Sequence, residues 1–220
     1  MYSLKSLIVS TVSLLAAAAS VHAAVVLSPE SVLRNDFGSF SASFPIERTI
    51  NQTGLTAGST FESGVTDYDT YVASNPTHTA HDTSFAAWYG ASFAPQNGII
   101  DFDLGDTYTI ESLAFFSNPL RAMQSITIYT SNDPLFTAST QVGTFVPYYS
   151  GSGSELAPLQ NINLVDTVAQ YVRFDVSGYY GNNVGMGEVA FGVVPEPTTY
   201  AMLAGAAGLG LVMLRRRRQS

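Results

Sequence analysis

The chain has 220 residues, 46% of them hydrophobic and only 12% charged, a formal net charge of −8 and no cysteine. No disulfide, thiolate metal site or cysteine nucleophile is therefore available, and the fold must be held by its core alone. Between residues 24 and 194 four arginines (Arg34, Arg48, Arg121 and Arg173) face 16 acidic residues with no lysine, a net charge of −12 that excludes nucleic acid and anionic lipid headgroups as partners and leaves divalent cations and neutral polysaccharides.

Residues 1–23 read as a secretory signal peptide. Lys5 and the α-amino group precede an apolar run over 7–19, too short to span and hold a bilayer. Val21-His22-Ala23 then puts small side chains at the two positions a signal peptidase accepts, so cleavage is expected after Ala23, with Ala24 as second choice. The body, 24–194, is one domain long enough to bury a full core.

Up to residue 98 the periodicity is weak. The segment 44–50 predicts a strand, 54–66 a polar loop, and 67–72 a short helical or extended piece. From Gly98 onward apolar and polar residues alternate between turn signals, the mark of half-buried strands. In 99–105 Ile100, Phe102 and Leu104 face inward and Asp101 and Asp103 outward; 107–116 continues with Tyr108, Ile110, Leu113 and Phe115. Further strands are expected over 125–131, 142–146, 161–165, 170–176 and 187–193, with a flexible Gly/Ser loop at 150–154. Abundant Tyr and Phe amid Ser, Thr, Gly and Asn suit an all-β sandwich better than a helical protein.

The order of these segments resembles the discoidin, or coagulation-factor type C, family of galactose-binding-like jelly rolls. The resemblance is carried by Trp88, the 99–105 strand ending Asp-Leu-Gly, the 126–132 strand Ile-Thr-Ile-Tyr-Thr-Ser-Asn, Tyr171-Val172-Arg173-Phe174, and the closing Gly187-Glu188-Val189-Ala190-Phe191-Gly192. It implies a jelly-roll β-sandwich in which two antiparallel sheets hide their apolar faces, with Trp88 a packing residue. It also implies a structural Ca²⁺ held by Asp82, shortly before the Trp, and Glu188 of the last strand, with backbone carbonyls completing a hard oxygen shell.

Catalytic constellations are scarce. His78 and His81 sit in a stretch read as a solvated polar loop, and the carboxylate pairs Asp67/Asp69 and Asp101/Asp103 as wet strand faces. No Gly-x-Ser-x-Gly elbow, P-loop or dinucleotide glycine pattern occurs, so no enzyme is expected. For ligand binding the tyrosine pairs Tyr148-Tyr149 and Tyr179-Tyr180 present flat rings suited to sugar faces, with Asn182 and Asn183 able to bond hydroxyls.

At the C-terminal end Pro195-Glu196-Pro197 leads into an apolar run over 200–214 and then four arginines, 215–218. Those arginines stay cytoplasmic, which orients a single marginal transmembrane helix with its N-terminus outside. Box, weak helix and arginine cluster in that order resemble the PEP-CTERM sorting tail, here 195–220. The resemblance implies transient insertion in the inner membrane, recognition by an exosortase-type membrane protease, and delivery to the cell surface or extracellular space. The expected protein is a noncatalytic, exported carbohydrate-binding module whose partner is an exopolysaccharide; the rival expectations are a structural biofilm protein without a defined ligand and, further off, a hydrolase.

Overall fold

Residues 23–80 and 86–195 are described by a computed structural model. Nine strands form: β1 (Val25–Leu27), β2 (Ser31–Asn35), β3 (Thr77–His78), β4 (Trp88–Tyr89), β5 (Asn97–Ser117), β6 (Met123–Ser131), β7 (Thr140–Phe145), β8 (Ala157–Tyr179) and β9 (Gly185–Pro195). A 3-10 helix (Ile46–Thr49) and helix α1 (Tyr68–Ala73) complete the elements. Among the described residues no helix is long and apolar enough to cross a membrane; the expected sorting helix lies beyond them.

All strand pairs are antiparallel, and β5 and β8 are the long ones, 21 and 23 residues. Their register breaks between Asp103 and Tyr108, where Gly105 takes a φ of +84°, a left-handed bend that a side chain would strain. Before the bend β5 also pairs with β2; beyond it β5 pairs with β9, which carries β1. The second half of β8 pairs with β6, and β6 with β7. One bent ribbon thus feeds both layers of an all-β jelly-roll sandwich.

Period-two patterning fills the space between the layers. Ile100, Phe102, Ile110, Leu113, Phe115, Phe174 and Phe191 are fully buried in one cluster. Phe102 meets Phe174 edge-on at 5.1 Å, and each such ring contributes roughly 1.5–3 kcal/mol by burial. Trp88 joins this core, its Nε1 donating to the Gly38 carbonyl at 3.0 Å. A second cluster lies on the other face of β5 and β9, where Phe44, Phe61, Tyr68 and Tyr71 of the N-terminal segment cover Ala114, Phe116 and Ala190. The stretch 112–117 is therefore buried on both faces, and its expected alternation between wet and dry is lost.

Four sequence expectations are corrected. The segment 44–50 is a 3-10 turn rather than a strand: Pro45 starts it in extended geometry, and Thr49 Oγ1 donates to the Ile46 carbonyl at 2.7 Å. The expected strands 161–165 and 170–176 are one strand, because nothing in Asp166-Thr167-Val168-Ala169 breaks the chain. His78 is not solvated; β3 pairs with β8, and its Nε2 meets the Thr53 carbonyl at 3.0 Å. Burial pushes that imidazole down to about 4, so it is neutral at physiological pH; His81 lies outside the described residues.

The fourth correction is Asp101, which is not a wet surface carboxylate. It stands opposite Arg173 across the β5–β8 ladder and accepts a forked pair of bonds, 2.7 Å from Nε and 2.8 Å from Nη2. The two side chains are 4% and 18% exposed, and the guanidinium also lies 4.0 Å from the Phe136 ring centre. The 67–72 expectation holds: α1 starts at Asp67, whose carboxylate accepts from Thr70 N–H at 2.8 Å.

A buried pair and a wet one predict different losses. Arg173→Ala, which strands the Asp101 carboxylate, is expected to cost roughly 3 kcal/mol in urea unfolding. Arg34→Ala breaks the pair with Asp36, whose arginine is 46% exposed, and is expected to cost less than about 1 kcal/mol. Equal losses would deny the Asp101–Arg173 pair its role between the long strands.

Candidate functional site

Four connections meet at one end of the sandwich. They are the segment after β2, the stretch after β4, the β5–β6 loop and the β8–β9 loop. Phe40 N–H donates to the Tyr89 carbonyl at 2.7 Å, Gly90 N–H to Val184 at 2.9 Å, Phe93 N–H to Asn182 at 3.1 Å, and Gly185 N–H to Arg121 at 2.8 Å. Asn118, fully buried, bends the β5–β6 loop by accepting at Oδ1 from the N–H groups of Leu120 and Arg121, both at 3.0 Å. These loops are tied to one another by backbone bonds, and Asn118 adds a side-chain tie within the β5–β6 loop.

That cavity measures about 350 Å³ and is lined by Phe40, Phe44, Tyr89, Ser92, Arg121, Asn182 and Asn183. Phe44 stacks on Tyr89 with centres 4.5 Å apart, and Phe40, 53% exposed, meets Phe44 edge-on at 6.1 Å. The Arg121 guanidinium lies 5.2 Å from the Tyr89 ring centre and donates to Asn183 Oδ1, while Asn183 Nδ2 donates to the Gly90 carbonyl at 3.3 Å. An apolar ring wall beside fixed amide and guanidinium donors suits a flat, hydroxyl-bearing ligand. A larger groove of about 490 Å³ lies toward the other end of β6, but its lining has no ring.

The residues expected from sequence scatter. Asn182 and Asn183 line the cavity. Tyr179 is buried instead: its hydroxyl donates to the Ala94 carbonyl at 2.7 Å and its ring meets Phe37 edge-on. Tyr149, 44% exposed, stacks on Tyr180 at 3.8 Å, so each ring already covers one face of the other. Tyr148 turns aside to Glu155, 3.2 Å from its hydroxyl. Phe40, Phe44 and Arg121 were not singled out from the sequence; an aromatic at i and i+4 in a Ser-rich loop was the only signal for the first two.

Glu188 is fully buried on β9. Its Oε2 accepts from Gln52 N–H at 2.9 Å, its Oε1 has no partner among the described residues, and burial holds its carboxyl well above the usual range. Gln52, at a φ of +63°, is locked by two bonds between its amide and the Phe61 backbone, both 3.0 Å. Asp82, the other expected calcium ligand, lies outside the described residues, and among the described residues no three His, Asp or Glu side chains cluster as a metal site. Of the sorting box, Pro195 ends β9, while Glu196 and Pro197 lie beyond the described residues.

Comparison with known proteins adds three findings. Residues 193–218 match the PEP-CTERM protein-sorting motif, and no curated protein matches the chain. Among solved structures, the CBM32-1 and CBM32-2 domains of Clostridium perfringens ZmpB, in complex with GalNAc, align with a TM-score of 0.50 at 13% identity over 76% of this chain and 33% of theirs. A second structure of the CBM32-1 and CBM32-2 domains of Clostridium perfringens ZmpB aligns equally well, over 35% of that chain. CBM32-1 from a family 31 glycoside hydrolase of the same organism aligns at 18% identity and a TM-score of 0.46, over 75% of this chain and 96% of that one. The chain spans about a third of the length of the two ZmpB structures. The body thus has the discoidin-like jelly-roll fold of CBM32 domains, and behind it the chain carries a PEP-CTERM sorting motif.

Proposed function

We propose that this protein is a noncatalytic carbohydrate-binding module, exported through its N-terminal signal, sorted to the cell surface by an exosortase-type protease, and bound there to an exopolysaccharide. The observation that carries the binding role is the loop-end cavity, in which Phe40 offers an exposed ring face beside Asn182, Asn183 and Arg121. A sugar ring stacks its C–H face on Phe40 and gives hydroxyls to the amides. The acidic body disfavours polyanions and supports a neutral sugar as ligand. GalNAc, the sugar of the matched ZmpB complex, is of that neutral class.

Calcium belongs to the same reading. The buried Glu188 carboxyl, with one oxygen unpartnered among the described residues, fits the donor chemistry of a hard cation, and Asp82 with backbone carbonyls would complete the shell. The ion would supply charge neutralisation beneath the N-terminal segment and no reaction chemistry. Gln52, which holds the other Glu188 oxygen, orients the carboxylate toward that task.

Two outcomes are expected. On a column of neutral exopolysaccharide, Phe40→Ala weakens retention about tenfold and Asn182→Ala also weakens it, whereas Tyr149→Ala does not. Retention unchanged in both cavity variants would remove the cavity from the account. Calcium at about a hundred times its Kd raises the melting temperature by roughly 5–10 °C, and Glu188→Gln abolishes that response. A wild-type protein indifferent to calcium and to chelator alike has no such site.

A further inference from the structure

Among the described residues, four other than glycine take a positive φ: Gln52, Asn75, Phe93 and Phe136. Asn75 is of a type that tolerates it. Gln52 is held by the bonds between its amide and Phe61, and Phe136 by its ring, 8% exposed beneath the Arg173 guanidinium. Phe93, at a φ of +59°, has no such hold on its side chain, because its ring is 86% exposed.

The backbone alone keeps the residue in place. Phe93 N–H donates to the Asn182 carbonyl at 3.1 Å, and Ala94 N–H closes a turn on the Ala91 carbonyl at 3.2 Å. Pro95 then confines Ala94 to extended geometry. Phe93 is the third residue of that turn, where a positive φ suits glycine or asparagine. A bulky ring at this position is a local strain that its own burial does not offset.

The same residue stands at the edge of the loop-end cavity. Ser92 lines that cavity, and so does Asn182, whose carbonyl takes the Phe93 N–H; the Phe93 ring is not part of the lining. Consecutive Cα atoms lie about 3.8 Å apart, so the ring sits one step outside a site already walled by Phe40.

We infer that the cavity takes a chain of at least two neutral sugar units rather than a lone sugar, and that Phe93 is the platform for the second unit. The inference rests on the carbohydrate-binding role proposed above. One unit lies on Phe40 with its hydroxyls on Asn182 and Asn183; the next passes Ser92 and stacks its C–H face on Phe93. A lone ring of roughly 150–250 Å² is too small a surface for a stable protein partner, which buries about 800 Å² a side. The acidic body repels anionic headgroups and polyanions, which leaves a neutral chain as the occupant. Because the turn is fixed in advance, stacking on Phe93 requires little further ordering of the protein.

The test is titration calorimetry of the exported protein with neutral sugars of increasing length, from one unit upward, in glucose, galactose, mannose and GalNAc series. In a series that binds, affinity is expected to rise about tenfold from one unit to two. Phe93→Gly is expected to remove that rise and keep the one-unit affinity, whereas Phe40→Ala loses both. Glycine suits the positive φ, so Phe93→Gly is expected to melt within a few degrees of the parent. Phe93→Leu, which keeps an apolar side chain without a flat ring, is expected to lose the rise as well. Affinity independent of length in the parent, or an equal loss for one unit and for two in Phe93→Gly, overturns the inference and leaves the cavity reading standing. Binding of the parent to neutral phosphatidylcholine vesicles that Phe93→Gly abolishes overturns it in favour of a lipid surface. No binding in any series sinks the carbohydrate reading and the inference together.

Discussion

Everything in this molecule hangs on the pairing of two long strands, β5 and β8, across a single bend. Every layer partner is placed by them: β2 and β9 on β5, β6 on β8, and β1 and β7 one strand further out. A ribbon that long gains its stability from non-local contacts, and it needs a register that cannot slip, because a slip by one residue would turn every core side chain to the wrong face. The forked Asp101–Arg173 pair sits inside that ladder, four residues before the Gly105 bend in β5, and fixes the register with a bond that only one alignment satisfies. No disulfide is available to hold that alignment, and truncating either partner of the buried pair would leave the other charge uncompensated.

The bend has a consequence for function. It brings the ends of β4, β5, β8 and the segment after β2 to one rim, where backbone bonds between loops hold a cavity open. The N-terminal segment then closes over the outer face of β5 and β9, and in doing so buries His78 and Glu188. The neutral His78 imidazole meets the Thr53 carbonyl through Nε2, while its buried Nδ1 has no partner among the described residues. Glu188 carries one buried oxygen that has no partner among the described residues, and burial holds its carboxyl well above the usual range. The far end of the same β9 strand merges with the sorting region, so that body and tail share residues instead of being joined by a spacer.

Much of the fold was legible in the sequence, because alternation over 99–105 and 125–131 reports a half-buried strand directly, and Ile100, Phe102, Ile126 and Ile128 all lie in the core. Alternation failed where a second layer of cover exists: Ala114 and Phe116 fall out of period with Leu113 and Phe115, and the packing of Phe44, Phe61, Tyr68 and Tyr71 from far upstream buries them. The same distant cover hid the burial of His78. Asp101 misled for a different reason, since an acid in an alternating strand reads as wet unless its cross-strand partner, 72 positions away, is known. At the candidate site, Asn182 and Asn183 stand out in sequence as amides beside the Tyr179-Tyr180 pair, and both line the cavity. Phe40 and Arg121 do not stand out, because a single aromatic and a single arginine carry no pattern until topology brings them together.

The central claim is that the loop-end cavity is where this exported body meets sugar. The most direct measurement is a crystal structure of the protein soaked with a mixture of neutral oligosaccharides. A sugar ring lying on Phe40 with hydroxyls on Asn182 or Asn183 is the predicted result. A sugar seated instead on the Tyr149–Tyr180 stack, or in the groove between Thr130 and Thr167, would contradict it.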